Sequence, residues 1–407
     1  MGKEQKKQKL NTRDIIGLIL WSIMLLGYGI ACTYLYYQQT QFVAGGKFES
    51  DLAAHISMAM DGWGYSVTAI VYRLFFMLPL SEVWIALFLA VFTVGAIVLT
   101  SYLLRPYVKS INIRNGIALI TGFVMPFYIG AIQAQRYIGY QSPSIWHNST
   151  YIVMKVFATA ALFLCFHIAR NYDKLDWKKC VCFALLLALT TATKTSFVAV
   201  FAPVALIMLI ADGFAGVQIK KLLLVATTII PTILVVLFQE AVLFGEDTGN
   251  GIVIEFGYTV FLRAEKPQYT MILSALFPVL VFLFNIVGVI KDTICDFKKK
   301  KKGLTHREFL VSWGMWFFGA AELLFLKETG ARLKDANFAW GYNYCLFILF
   351  IVSCVYLLKN LKSPTFLKGN KVAKTIYGVL MSGILGYHVY CGIYFFLRLL
   401  EGTTYFM

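Results

Sequence analysis

Charge is what this sequence has least of. Only 14% of its 407 residues are Asp, Glu, Lys or Arg, against 59% hydrophobic and 16% aromatic. A soluble core cannot absorb that much apolar chain, so lipid must be the solvent for most of it. Metal-binding spacings are missing too. The eight cysteines, Cys32, Cys165, Cys180, Cys182, Cys295, Cys345, Cys354 and Cys391, form no C-x-x-C and no Cys/His cluster. They fall in apolar runs or beside basic loops, which predicts free thiols and no zinc. A cleavable signal is not expected, because the apolar run from Ile15 is too long and lacks a small-residue cleavage site. With no repeat and no soluble stretch, residues 1–407 read as one integral membrane domain, opened by a basic tail over 1–13.

The net charge of +16 would suit nucleic acid in another setting. Here Lys and Arg gather at the ends of apolar runs, where they orient a membrane protein, so no nucleic-acid partner is expected. Lys3, Lys6, Lys7, Lys9 and Arg13 put the N-terminus in the cytoplasm. Spans follow at Asp14–Tyr37, Glu82–Leu104, Gly116–Gln133 and Tyr151–Ala169. The apolar stretch Val181–Ala211 would be about 47 Å long as one helix, too long for one crossing. Lys178 and Lys179 before it and Lys220 and Lys221 after it both favour the cytoplasm, so it reads as a short hairpin with Lys194 at its outer tip. Leu222–Phe244, Tyr269–Ile290, Phe309–Leu326, Ala339–Leu358 and Thr375–Leu400 complete an all-α, polytopic fold of about eleven spans, with the C-terminus outside.

The stretch Gly45 to Gly64 is the first to leave the membrane. Ser50 reads as an N-cap, so SDLAAHISMAM should form a short helix stopped at Asp61-Gly62. Asp51 and His55 share one face of it, and Leu52, Ile56, Ala59 and Met60 the other, as in a helix lying on a bilayer surface. Tyr65–Leu78 ends at Pro79 and is too short to span, which predicts a second interfacial helix.

Basic residues inside are explained by orientation, whereas those outside work against it and imply an anionic partner such as lipid phosphate. The basic residues of the outer set are Arg73, Arg136, Lys194, Arg263, Lys327 and Arg332. Arg332 could equally pair Glu328 or Glu322, and Lys194 could snorkel. His147 suits acid–base work or an aromatic belt. Asn148-Ser-Thr matches a glycosylation sequon, a pattern that arises often by chance. Glu322, within a span, is a functional candidate on burial grounds alone, although pairing between helices is the commoner role. His167, His306 and His388 read as structural.

This arrangement resembles the GT-C superfamily of integral membrane glycosyltransferases. The likeness rests on the acidic Glu49-Ser50-Asp51 in the first outer loop, the two interfacial helices after it, and the lysine hairpin TATKTSFVAVFAP. Unlike in many members, no soluble C-terminal domain is expected here, and the acidic motif is not a strict Asp-x-Asp. The resemblance implies transfer of a sugar from a polyprenyl-phosphate donor to a glycan, lipid or polymer acceptor, with inversion, at the outer face of the plasma membrane. Lys194, Arg332, Arg263 or Arg136 would meet the departing phosphate. Asp51, with Glu49 and His55 beside it, would be the general base, and His147, Asn148 and Glu322 would line the substrate. No organic cofactor is implied, and a divalent metal at Glu49 and Asp51 remains open. A lipid-linked polysaccharide polymerase or ligase, and a multi-pass transporter or flippase, are the rival readings.

The charge pattern sets a direct test of sidedness. Cysteines placed at 51, 194 and 332, on a background without reactive thiols, should label from outside intact cells. Labelling of Arg332→Cys only from inside would remove all these residues from a common outer site.

Overall fold

The structure, a computed structural model, describes residues 11–41, 46–62, 65–137, 141–245, 249–301, 303–333 and 335–404. Helices dominate: α1 Thr12–Thr40, α2 Asp51–Met60, α3 Val67–Phe76, α4 Ser81–Leu103, α5 Ile111–Thr121, α6 Ser149–Arg170, α7 Trp177–Thr193 and α8 Ser196–Phe214. They continue as α9 Ile219–Ala226, α10 Ile230–Phe244, α11 Tyr258–Arg263, α12 Pro267–Ser274, α13 Leu276–Lys298, α14 Arg307–Phe325, α15 Ala339–Lys362 and α16 Lys371–Leu400. Among the described residues nine helical stretches are long and apolar enough to cross a bilayer, counting Ile219–Phe244 as one. This is a multi-pass helical membrane protein.

Two expected crossings fall short of that length. The first arm of the lysine hairpin, α7, has 17 residues. The expected span Gly116–Gln133 is a correction of a different kind. Its helix covers only Ile111–Thr121, and an irregular segment replaces the rest. Non-helical backbone inside a membrane bundle must find partners within the protein. Here the Met125 amide donates to the His388 carbonyl at 3.1 Å, and the Phe127 amide to Leu273 at 3.0 Å. His388 Nδ1 lies 2.6 Å from the Met125 carbonyl, and Ser144 Oγ donates to Gly122 at 2.9 Å. His388 is structural, as its sequence context suggests, and its task is to hold this break.

The bundle is built around α15. Every residue from Ala339 to Leu357 is buried, which accounts for a stretch apolar on all sides. At the other extreme α1 lies on the rim, with Ile19, Ile23, Leu26 and Ile30 exposed to the lipid phase. Helices α2 and α3 are the two short elements expected after α1. Ser50 Oγ accepts from the Leu52 amide and Ser66 Oγ from the Ala69 amide, each satisfying an orphan donor of a first turn. Arg73 of α3 donates to the Ala59 carbonyl at 2.6 Å, closing the far end of α2.

One small sheet escaped the periodicity. Strand β1, Ile252–Ile254, pairs antiparallel with β2, Leu326–Glu328, in the register Ile252 to Glu328. It ties the loop after α10 to the end of α14. The alternating passes give the bundle two chemically different ends. One carries Arg170, Lys174, Lys178, Lys179, Lys220, Lys221 and Lys298 to Lys301, the other the α1–α2 and α7–α8 junctions.

Close packing of the irregular segment makes Gly392 on α16 irreplaceable. A Cβ there would fall 1.4 Å from the Phe123 carbonyl oxygen, whereas one at Gly383 would meet nothing within 4 Å. Gly392→Ala should destabilise by roughly 1–3 kcal/mol or more. Gly383→Ala should be neutral or slightly stabilising, with melting of the purified protein in detergent as the measurement.

Candidate functional site

A cavity of about 270 Å³ opens at the end of the bundle opposite the lysine-rich turns. Asp51 and His55 of α2, Asn148 and Thr150 at the start of α6, and Lys194 between α7 and α8 contribute to its wall. Gln239 of α10, Glu322 of α14, Glu328 and Arg332 after β2, and Trp340 at the start of α15 complete it. Segments almost three hundred residues apart in sequence therefore converge on one space.

The local reasons are ordinary. Asn148 is the N-cap of α6: its Oδ1 accepts from the Tyr151 amide at 3.0 Å and from Thr150 Oγ1 at 2.9 Å. Its Nδ2 donates to Asp51 Oδ2 at 2.8 Å. The sequon asparagine is thus buried and engaged at both ends of its amide. His55 Nδ1 lies 2.8 Å from Ser149 Oγ, so α2 is docked side-on against the first turn of α6. The positive end of that helix favours a carboxylate beside it. Lys194 caps α7, and its Nζ donates to Thr150 Oγ1 at 3.3 Å while sitting 5.0 Å from the Trp340 ring centre.

Arg332 Nε donates to Glu328 Oε1 at 2.9 Å, and Asn337 donates to the other oxygen of Glu328 at 2.6 Å. That pairing occupies one of the five donors of the guanidinium. Glu322 reaches the cavity past Gly341, where a Cβ would stand 3.2 Å from Glu322 Oε2 and 2.9 Å from the Ser196 carbonyl.

Burial opposes the charge of Asp51, but His147, His55, the Asn148 amide and Lys194 outweigh it and hold the carboxyl below its ordinary range. His55 is pushed down to about 4, chiefly by burial, with Asp51 pulling the other way, so it is neutral at pH 7. Lys194 is lowered to about 8 by burial, with Asp51 opposing and Arg332 reinforcing the shift. Asp335, which also lines the cavity, is raised by burial against the pull of Arg332.

Not every expected site residue arrives here. Glu49 is half-buried one residue before the N-cap and does not line the cavity. His147 lies behind the wall, 3.1 Å from the Tyr137 hydroxyl and tilted against Trp340, and acts on Asp51 through its field. Arg136 packs over the rings of Tyr128 and Tyr394 beside a separate small pocket. Arg263 ends α11, and its side chain lies outside the described residues. Trp340, Thr150 and Asn337 went unnoticed in the sequence. Trp340 opens a span and so looks like any belt aromatic, and the other two carry no spacing signal.

No family model, curated protein or solved structure matches this chain. The chemistry must be argued from the cavity itself. It holds a carboxylate kept ionised, a lysine near its titration point and an arginine, within walls of mixed polarity. Among the described residues no group of three or more His, Cys, Asp or Glu side chains is arranged to hold a metal ion.

Lys194 gives a pH test with a definite sign. A lysine depressed to about 8 is cationic below that pH and neutral above it. Binding of a short-chain isoprenyl phosphate, followed by calorimetry from pH 7 to 9.5, should be strongest at the low end and weaken as pH rises through about 8. Lys194→Arg should flatten the profile. A flat profile for the unaltered protein would remove Lys194 from the anion contact.

Proposed function

We propose that this protein is an integral membrane glycosyltransferase that moves a sugar from a polyprenyl-phosphate donor to a lipid, glycan or polymer acceptor. The observation that carries the reading is the meeting of Asp51 with Lys194 and Arg332 across one cavity. Positive-inside bias supports placing that cavity on the non-cytoplasmic face, because the lysine-rich turns all lie at the other end.

In this reading an acceptor hydroxyl enters beside Asp51. Its oxygen attacks the anomeric carbon as the carboxylate takes its proton, and the bond from that carbon to the phosphate oxygen breaks. The lipid phosphate leaves with the bonding electrons, and Lys194 and Arg332 stabilise the charge it gains. One displacement without an enzyme nucleophile inverts the anomeric centre. The lowered pKa of Asp51 keeps it ionised and so able to accept a proton at neutral pH, while neutral His55, bonded to Ser149, holds α2 in place. Glu322 and Gln239 suit hydroxyl groups of the transferred sugar. A polymerase or ligase would use the same groups on a larger acceptor.

A transporter or flippase is the second reading, and the broken helix after Thr121 favours it, since such breaks often line transport paths. Against it, that segment packs on α16 and contributes nothing to the large cavity. Mass spectrometry of co-purified molecules separates the two: a polyprenyl phosphate supports transfer, a water-soluble solute supports transport.

Asp51 is the decisive residue. Asp51→Asn keeps its size but cannot accept the proton, so turnover should fall by roughly 10² to 10⁴ with thermal stability nearly unchanged. Glu49→Gln, a change outside the cavity, should leave turnover intact. Full activity in Asp51→Asn would show that the base lies elsewhere, and loss in Glu49→Gln alone would move it by two residues.

A further inference from the structure

The lysine-rich end of the bundle holds a second cavity that the proposed transfer does not use. It measures about 160 Å³ and lies between α6, α7, α8, α9 and the start of α14. Its wall is mostly apolar and includes Phe183, Leu187, Phe201, Leu209, Val225 and Val311. An apolar cavity of roughly 150 Å³ stays dry and accepts a molecule the size of benzene, so this one suits a run of hydrocarbon chain. Leu206 also lines it and is 60% exposed, which sets the mouth of the slot toward the lipid.

Charged groups occur at one end only. Tyr172, Asp212 and Arg307 line the slot where α6 and α8 finish and α14 begins, at the lysine-rich end of the bundle. Arg307 Nη1 donates to Asp212 Oδ2 at 2.7 Å, and the Tyr172 hydroxyl donates to the same oxygen at 2.7 Å. Arg307 is 3% exposed, and its Nε has no partner among the described residues. A buried donor left open calls for an acceptor.

Just beyond stand the lysines. Lys221 is one turn before the slot-lining Val225, on the same face of α9, and bonds Asp173 at 2.9 Å. Lys178 and Lys220 have no carboxylate partner among the described residues. Trp177 is 65% exposed next to Lys178, as an aromatic at the membrane surface would be. Along the helices from the lysine-rich end inward the order is therefore lysines, open N–H donor, hydrocarbon slot.

We propose that this slot binds an anionic phospholipid of the leaflet at the lysine-rich end. Its phosphate meets Lys178 and Lys220, an ester carbonyl accepts from Arg307 Nε, and one acyl chain lies between α7 and α8. A fatty acid fits less well, because its carboxylate would sit at Arg307, whose charge Asp212 already balances. A zwitterionic phospholipid fills the slot but leaves the lysines uncompensated. This assignment stands apart from the transferase reading and survives its failure.

The test uses the full-length protein in phosphatidylcholine nanodiscs containing a small share of phosphatidylglycerol with a diazirine near the end of one chain. After irradiation, adducts should map to the slot-lining positions of 183–187 and 201–209. Adducts confined to lipid-facing Leu185, Ile207 and Ile210 would overturn the proposal. Ala205→Phe fills the slot and should cut the slot adducts roughly tenfold or more, whereas Ile207→Phe should not. Lys178→Ser combined with Lys220→Ser should lower retained phosphatidylglycerol roughly tenfold. Equal labelling of the slot by a phosphatidylcholine probe would overturn the anionic assignment. Should Ala205→Phe not fold, the adduct map of the unaltered protein decides the matter alone.

Discussion

The site depends on one side chain with two duties. The Asn148 amide caps α6 with its oxygen and holds Asp51 with its nitrogen. Without the first contact α6 loses the partner of a first-turn donor, and without the second α2 loses its orientation. Because α2 is only ten residues long, it has little stability of its own and takes its place from what it docks on. Ser149 and His55 provide the second point of that docking, and two points fix a short rod where one would let it swing.

Charge is distributed in the bundle by a rule that lipid imposes. A charged group away from water must find an opposite charge, a donor or a ring, or else reach the surface. At the lysine-rich end Arg307 takes Asp212 and Arg170 takes Glu308. At the cavity end Arg332 takes Glu328, while Lys194 leans on the Trp340 ring and the Thr150 hydroxyl. Lys194 is the weakest bargain of these, since neither partner carries a negative charge. Burial lowers its pKa to about 8, and with no carboxylate bonded to it the side chain is disposed toward an anion.

How much of this was legible in the sequence varies from element to element. The two short helices after α1 could be read because Ser50 and Pro79 punctuate them locally. The lysine hairpin could be read because paired lysines on both sides left only one consistent path. The span 116–133 could not, since its hydropathy is that of a crossing helix while Gly122 and Pro126 allow an irregular path. What decides for that path is His388, more than two hundred and fifty residues away, which supplies the acceptor and donor that the open backbone needs. The β1–β2 pair was invisible for a similar reason, because each strand is three residues long and its partner is remote.

Among the site candidates, Asp51, His55, Asn148, Lys194, Glu322 and Arg332 line one cavity, while Glu49 and Arg136 lie off it and His147 acts from behind its wall. Sequence alone determined the lipid solvent, most of the spans and the set of ionisable groups at the end opposite the lysines, because hydropathy and charge are local properties of the chain. Which of those groups face one another was decided only by the packing of α2 on α6 and of α14 on α15. Distances between residues far apart in sequence depend on helix contacts that no local pattern encodes.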